Sequence, residues 1–455
     1  MSMESFSGYA AGIPSGATVL VPAGEVHNVD RSNRGANLAM LRTVASRSIA
    51  GVDDESFGTW ETVVVTGGSG CVGTALLRLL RRMGVHRIVS IAHLEPTRKR
   101  VVPGVEYIHA DITDAETIEA LLCAIRPDLV LHLAGIRDPG MAERRVVDAV
   151  RSNVLGTEFV AQSAQRAGVP VTVAASTGKA MRLFTSDIYA SSKQLLEYQM
   201  ARAAETGTMR TGCARFTHIV DNSLIYDKMQ RWATTGKPIR LHGPNVDLFV
   251  QSAREASQLL MLAARVAREN DGPSRVQAIT DLGWPPVDLL GLAMDVIEET
   301  GSSSPIISIG FPAGYEEMPY PGTTDPRTAG DHSPLFNCLE AAMAMASPAV
   351  GGVPSVGSTT LSPRTESVDR RLLALKASVP SRSARVVRDH LRATCLDYLR
   401  HRLDCAPTPE VGAMGVRGTH RPLFSEDHLI AHEVITGHLQ AEPRLKPTAT
   451  LSSVG

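Results

Sequence analysis

The stretch TVVVTGGSGCVG, Thr62 to Gly73, followed by TALLRLLRRMG as far as Gly84, decides how this chain folds. A β-branched run enters a glycine turn and leaves it as an amphipathic helix, the order a βαβ unit requires. Gly68 permits a tight turn, Gly70 lets backbone amides approach a pyrophosphate, and Gly73 lets the helix pack closely on the sheet. The helix start then presents its amides to phosphate oxygens. This spacing predicts a dinucleotide cradle made of Gly67, Gly68, Ser69, Gly70, Cys71, Val72 and Gly73.

The pattern around this turn alternates between strand and helix. Strands are expected at Val63–Thr66, Arg87–Ile91, Val105–His109, Leu129–Leu133, Val169–Ala174 and Arg210–Phe216, with helices over Ala115–Ile125, Asp148–Ala167 and Ile188–Ala204. Consecutive apolar strands separated by helices predict an α/β fold, a Rossmann-type doubly wound parallel sheet. The expected organisation is an N-terminal extension (1–60), a dinucleotide-binding core (61–216), a smaller and mainly substrate-binding lobe (217–320), a connecting segment and linker (321–366), and a helical C-terminal appendage (367–455). Ser347–Ser367, crowded with Pro, Gly, Ser and Thr, reads as a flexible linker.

Composition narrows the class of partner. The chain has 455 residues, of which 43% are hydrophobic, enough for a sizeable core without staples. Its 46 basic and 47 acidic residues leave a formal charge of -1, so no global field draws it to nucleic acid or an anionic membrane. Six cysteines are scattered without a CxxC pair, and the start has neither a basic nor a strongly apolar leader region, which together predict a cytoplasmic protein. Cys395, His401, Cys405, His420, His432 and His438 match no zinc spacing, so no metal is expected.

Tyr189-Ala-Ser-Ser-Lys193 places a phenol and an ammonium one helical turn apart on the same face. A phenol with an ordinary pKa near ~10 becomes a usable base only where a cation favours its anion. Lys193 is the candidate for that field and for holding ribose hydroxyls, while Tyr189 exchanges a proton with a substrate hydroxyl. Asp111 and Ile112 follow the third strand, where they meet an adenine ring or cap the next helix, and Leu133, Ala134 and Gly135 give either backbone contact with the cofactor or tight packing. The second strand ends at His93 with no carboxylate for a ribose, and Arg98, Lys99 and Arg100 lie just beyond. NAD(P) is therefore expected, with NADP favoured by the cations, although the run also reads as a solvated loop.

With TGGSGCVG, HLAG and YASSK in this order, the chain resembles the extended short-chain dehydrogenase/reductase superfamily. More narrowly, AASTGKA (174–180), SNVLGT (152–157), ARF (214–216), GKPIRL (236–241) and REASQLL (254–260) make it similar to the polysaccharide-biosynthesis nucleotide-sugar dehydratases, which include inverting UDP-N-acetylglucosamine 4,6-dehydratases. That resemblance implies catalytic roles for Thr177, Lys179, Tyr189 and Lys193. It also implies that Asn153 holds the active-site backbone and that Arg137, Arg215, His218 and Asn222 face substrate.

Departures from the family pattern matter as much. The motif STDKA reads Ser176-Thr177-Gly178-Lys179-Ala180 here, so the aspartate that protonates the departing hydroxyl is missing, leaving Asp138, Asp187 or a water as substitutes. Thr217-His218-Ile219 replaces GNV, and Asp247 stands where an arginine meets the nucleotide diphosphate. The expectation is an NAD(P)-dependent lyase of the 4,6-dehydratase type acting on a nucleotide sugar through a transient ketone. The alternatives are a sugar epimerase, a simple dehydrogenase or ketoreductase, or a non-catalytic dinucleotide-binding scaffold. Its expected partners are a sugar substrate, UDP-linked or otherwise, and further copies of itself as a homo-oligomer, with neither nucleic acid nor membrane.

Overall fold

The computed structural model describes residues 17–49, 60–222, 225–279, 287–311, 335–341, 345–346, 356–406 and 426–441. They fall into two compact units. The larger contains Ile49–Phe216, Ser257–Asp281 and Tyr320–Gly455; the smaller contains Met1–Ser48, Thr217–Ala256 and Leu282–Pro319.

The larger unit is built on a parallel sheet. Its strands are β1 (Thr62–Thr66), β2 (Arg87–Ala92), β3 (Glu106–His109), β4 (Leu129–His132), β5 (Val171–Thr177), β6 (Arg210–Phe216) and β7 (Arg275–Ile279), in the spatial order β3-β2-β1-β4-β5-β6-β7. Two further strands, β8 (Met345–Ala346) and β9 (Val356–Thr360), extend the β7 edge antiparallel. Val63, Val64 and Val65 are each 0% exposed, and burying each contributes about 1.5–3 kcal/mol. Strand order reverses between β1 and β4, and the carboxyl ends of strands flanking such a switch point are where this architecture binds ligands.

Flanking helices are Cys71–Arg82, Ala115–Ile125, Gly156–Arg166 and Ile188–Glu205. The helical stretch expected over Asp148–Ala167 is interrupted by a π turn at Arg151–Leu155, which displaces Asn153 from regular α geometry. In the C-terminal appendage, helices Glu366–Ser378, Ala384–Cys405 and Glu426–Ala441 share one apolar cluster with Leu183, Phe184, Ile188 and Tyr198. No helix among the described residues is long and apolar enough to cross a membrane.

Two expected assignments change. The strand at Arg275–Ile279, assigned by sequence to the smaller lobe, pairs with β6 and completes the parallel sheet. Within the segment read as a linker, Val356–Thr360 is a strand: Val356, Gly357 and Thr359 are buried, and Arg275 Nε donates to the Ser358 hydroxyl at 2.7 Å. Residues 347–355 of that segment lie outside the described residues.

The N-terminal residues, given no role from sequence, are an integral part of the smaller unit. Thr18–Val21 pairs with Ile306–Ser308, which pairs in turn with Ile239–Leu241. Buried Asp295 accepts from the Gly35 and Leu38 amides at 2.9 and 3.1 Å and from Arg31 at 2.7 Å, fixing the start of helix Ala36–Ser46.

Candidate active site

The glycine turn leaves β1 through Gly67, whose φ of +77° is the left-handed conformation that a side chain disfavours. This conformation falls one residue before Gly68, where the sequence suggested the tight turn. Gly73 is needed for a different reason: a Cβ there would stand 2.4 Å from the Gly67 carbonyl oxygen and 2.7 Å from the Gly68 Cα, both rigid backbone. The helix begins at Gly70, which offers no side chain to cap it. Cradle and helix start together have the shape and polarity that a pyrophosphate requires.

Around the cradle the polar contacts differ from expectation. His93 and Arg98 are exposed, whereas Arg100 donates to the Ser69 carbonyl within the glycine turn at 3.2 Å. Arg100 is thus the cation brought to the turn. Asp111 is exposed and accepts from the Thr113 amide at 2.9 Å in a local turn, the cap of the next helix being Asp114, while buried Ile112 packs against Gly156. Leu133 and Ala134 are half-buried at the end of β4, and Gly135 is exposed.

Beneath Ala134 lies a fully polarised hydrogen-bond chain. Thr157 donates its hydroxyl to the Asn153 carbonyl at 2.7 Å, so it receives a proton from His132 Nε2 at 3.0 Å; Nδ1 then accepts from Thr66, whose oxygen accepts the Ala134 amide. This assigns the Nε2–H tautomer. Burial, together with the charge on Lys193, pushes His132 down to about 3 and keeps it neutral. Asn153 completes the frame, accepting from the Ile136 amide at 2.8 Å and donating to the Ile136 carbonyl and the Ser192 hydroxyl at 2.9 Å each. It therefore acts on the backbone around the cofactor position.

Tyr189 opens helix Ile188–Glu205, and its phenol lies near the Thr177 side chain at the end of β5. Burial is the main reason its pKa rises, to about 12; Asp187 pushes the same way, while the Thr177 side chain and exposed Arg137 pull it down. Lys193 Nζ instead donates to the Ala175 carbonyl at 2.9 Å, and burial lowers it to about 8 against the opposing influence of Cys213 and Glu197. The cation acting on the phenol is thus Arg137, a role that the YxxxK spacing assigned to Lys193.

Arg215 does not face a substrate. It is 1% exposed, and its five N–H groups are all used, by both carboxylate oxygens of Glu197 and Glu340 and by the Leu335 carbonyl, at 2.6–3.0 Å. Glu197 also accepts from Ser176 of the STGKA motif at 2.6 Å. His218 and Asn222 belong to the smaller unit, His218 in a two-stranded parallel pairing with Val250 and Asn222 in a short 3₁₀ turn.

The position of the missing acid is closed. Gly178 is buried, and a Cβ there would lie 2.5 Å from Leu335 Cδ2. The substitutes suggested by sequence both cap helices: Asp138 accepts from the Met141 amide at 2.6 Å, and Asp187 Oδ1 accepts from the Ala190 amide at 2.8 Å, leaving Asp187 Oδ2 buried without a partner among the described residues. Lys179 is half-buried beside Thr177, whose hydroxyl oxygen accepts the Lys179 amide.

The sheet order, the glycine cradle and the Tyr189/Lys193 helix define a Rossmann-type protein of the extended short-chain dehydrogenase/reductase superfamily. Residues 63–317, more than half of the chain, match the polysaccharide biosynthesis protein family, and the chain belongs to it. It is 24% identical over 265 residues to the capsular polysaccharide biosynthesis protein CapD of Staphylococcus aureus, covering 56% of this chain and 43% of that one. To a UDP-glucose 4-epimerase of Rickettsia akari it is 23% identical over 224 residues, covering 46% and 64%. The chain thus spans less than half the length of CapD and just under two thirds of the epimerase. The structure of Pen from Bacillus thuringiensis shares the fold, with a TM-score of 0.54, 16% identity and coverage of 67% and 90%.

Proposed function

We propose that this chain binds a nicotinamide dinucleotide and converts a nucleotide sugar through a transient ketone, returning an isomer or a ketone and not a dehydrated product. The observation that carries the choice is Leu335 against Gly178: where the family motif has a proton donor for the departing hydroxyl, this chain has hydrocarbon. Asp138 is engaged as a helix cap, and Asp187 caps its own helix through Oδ1 while its buried Oδ2 has no hydrogen-bond partner among the described residues.

The residues fit the cofactor. Gly67–Gly73 would hold the pyrophosphate, Arg100 would meet a ribose phosphate, and Lys193 the ribose hydroxyls of the nicotinamide half. When bound, the nicotinamide supplies an acceptor and donor of hydride. The chain supplies the proton chemistry. Tyr189, beside Thr177, would receive the proton of a sugar hydroxyl and later give it back. With its pKa raised by burial, the phenol is a weak acid, so Arg137 must favour its anion in the oxidative direction. A dinucleotide held there would make inversion of the carbon possible with no net redox change.

A second reading, 4,6-dehydration, draws support from Thr177 and Lys179, since an amine beside the ketone could remove the acidified neighbouring proton. Incubating the full chain with NAD or NADP and either UDP-glucose or UDP-N-acetylglucosamine, with mass analysis of products, separates the two. The expected product has the mass of the substrate or is lighter by two hydrogens; a product lighter by one water overturns the choice. Tyr189→Phe should lower turnover by about 10²–10⁴-fold with dinucleotide binding retained. Full activity in that variant removes Tyr189 from the mechanism.

A further inference from the structure

The chain reaches Tyr189 from the STGKA motif through Arg182–Ile188, and this segment is gripped from outside by the C-terminal helices. Arg402, on helix Ala384–Cys405, donates to the Arg182 carbonyl at 3.1 Å and also to the Leu183 carbonyl. Asp427, in the first turn of helix Glu426–Ala441, accepts the Ser186 amide at 2.7 Å and the Ser186 hydroxyl at 3.2 Å. Arg388 pairs at 2.8 Å with Glu143, whose other oxygen accepts the Ile188 amide at 2.8 Å. Leu183, Phe184 and Ile188 are buried in one cluster with Leu391, Leu399 and Ile435, and the Tyr189 ring lies against it.

A helix start leaves amides without partners inside the helix. Here Ser186, Ile188 and Ala190 find carboxylates from three separate elements, Asp427, Glu143 and Asp187. Only Asp187 is local. Two of the three anchors that aim the first turn of the tyrosine helix therefore depend on the appendage, one directly and one through Arg388.

We propose that the C-terminal helices are a positioning element for Tyr189, with Asp427 and Arg402 as positioning residues that hold the Arg182–Ile188 segment so that the phenol meets Thr177. The proposal rests on the reading of Tyr189 as the proton-transfer group only for its functional meaning; the geometry it asserts is measurable without substrate. Removing a clamp frees backbone rotations in the segment and populates orientations in which the phenol leaves Thr177.

The test uses the full chain labelled with [ζ-¹³C]tyrosine at neutral pH. Tyr189→Phe identifies the Tyr189 resonance, and Thr177→Ala shows how far it moves when the neighbouring hydroxyl is lost. Asp427→Ala is expected to shift that resonance in the same direction, by at least half as much, whereas Asp427→Asn, which keeps an acceptor oxygen, stays at the wild-type position. Arg402→Met should shift it and Arg402→Lys should restore it. A thermal melt confirms that each variant is folded; should Arg402→Met fail to fold, the exposed-side Asp427 pair decides alone. An unmoved resonance in folded Asp427→Ala, or equal shifts in Asp427→Ala and Asp427→Asn, overturns the proposal. Absence of turnover with these shifts intact would instead count against the functional reading alone.

Discussion

The two ends of the site are built from different materials. At the end proposed to hold the cofactor, from Thr62 to Gly135 with Thr157 behind it, geometry comes from backbone: a left-handed Gly67, a Gly73 that only hydrogen fits, and an interlocked Thr66–His132–Thr157 chain of neutral groups. At the end proposed for proton transfer, from Ser176 to Tyr189, geometry comes from buried charge: Glu197, Arg215 and Glu340 behind the motif, with Asp427, Arg402 and Arg388 along the segment that follows. Both frames join distant segments, Thr66 to His132 in one and Arg215 to Glu340 in the other, but loss of a partner strands a buried charge only in the second.

This difference makes Arg215→Met the severest test. Its loss leaves Glu197 and Glu340 facing each other in the interior without a counter-charge, and removal of one partner from a buried pair costs about 3–5 kcal/mol. Chemical denaturation of the full chain should show a loss of that size, and Leu335 should lose its seat against Gly178. A cost below about 1 kcal/mol would mean that the two carboxylates find other partners or solvent, and the charged frame would not be structural.

Acid probes the neutral frame. His132 is pushed down to about 3 in the fold and returns to near 6.5 when unfolded, so the unfolded chain binds the extra proton in that window. Stability is fully present above about pH 6.5 and falls as pH drops toward 3, by about 4 kcal/mol from this group. His132→Gln, whose amide nitrogen can donate to Thr157 and whose oxygen can accept from Thr66, should flatten that part of the stability profile. Equal slopes in the two proteins from pH 6.5 to pH 4 would show that His132 is not held neutral.

The same contrast explains what could be read from sequence. The parallel sheet, helix Ala115–Ile125, strand Arg210–Phe216 and the glycine turn were legible because each rests on periodicity or glycine spacing within a few residues. Glu197 was within reach, four residues beyond Lys193 on the same helix face. Leu335 and Asp427 were not, because nothing local distinguishes a leucine that fills the space beside Gly178 or a carboxylate that meets Ser186 from any other. Arg215 misled for a related reason: an arginine at a strand end suits a phosphate, and only Glu340, 125 residues away, shows it to be fully used. Strand Val356–Thr360 was hidden by its glycine, serine and threonine content, which suits a loop until an edge such as β7 is available to pair with it.

The smallest expected effect lies at the boundary between the two kinds of frame, where one charge enters the backbone-built cradle. Arg100 rests on the Ser69 carbonyl, a neutral acceptor that holds it weakly in place, and no carboxylate ends β2 to repel an added phosphate. A ribose 2′-phosphate offers a stronger, charge-assisted partner worth about 1.5–3 kcal/mol. Arg100→Met should therefore weaken NADP binding by roughly 10-fold while leaving NAD binding within about 2-fold, as measured by calorimetry on the full chain. Equal losses for both dinucleotides would assign Arg100 to holding the glycine turn, and the cofactor end would then depend on charge as the other end does. Selective loss of NADP would keep the contrast and locate cofactor choice in a residue outside the cradle's backbone.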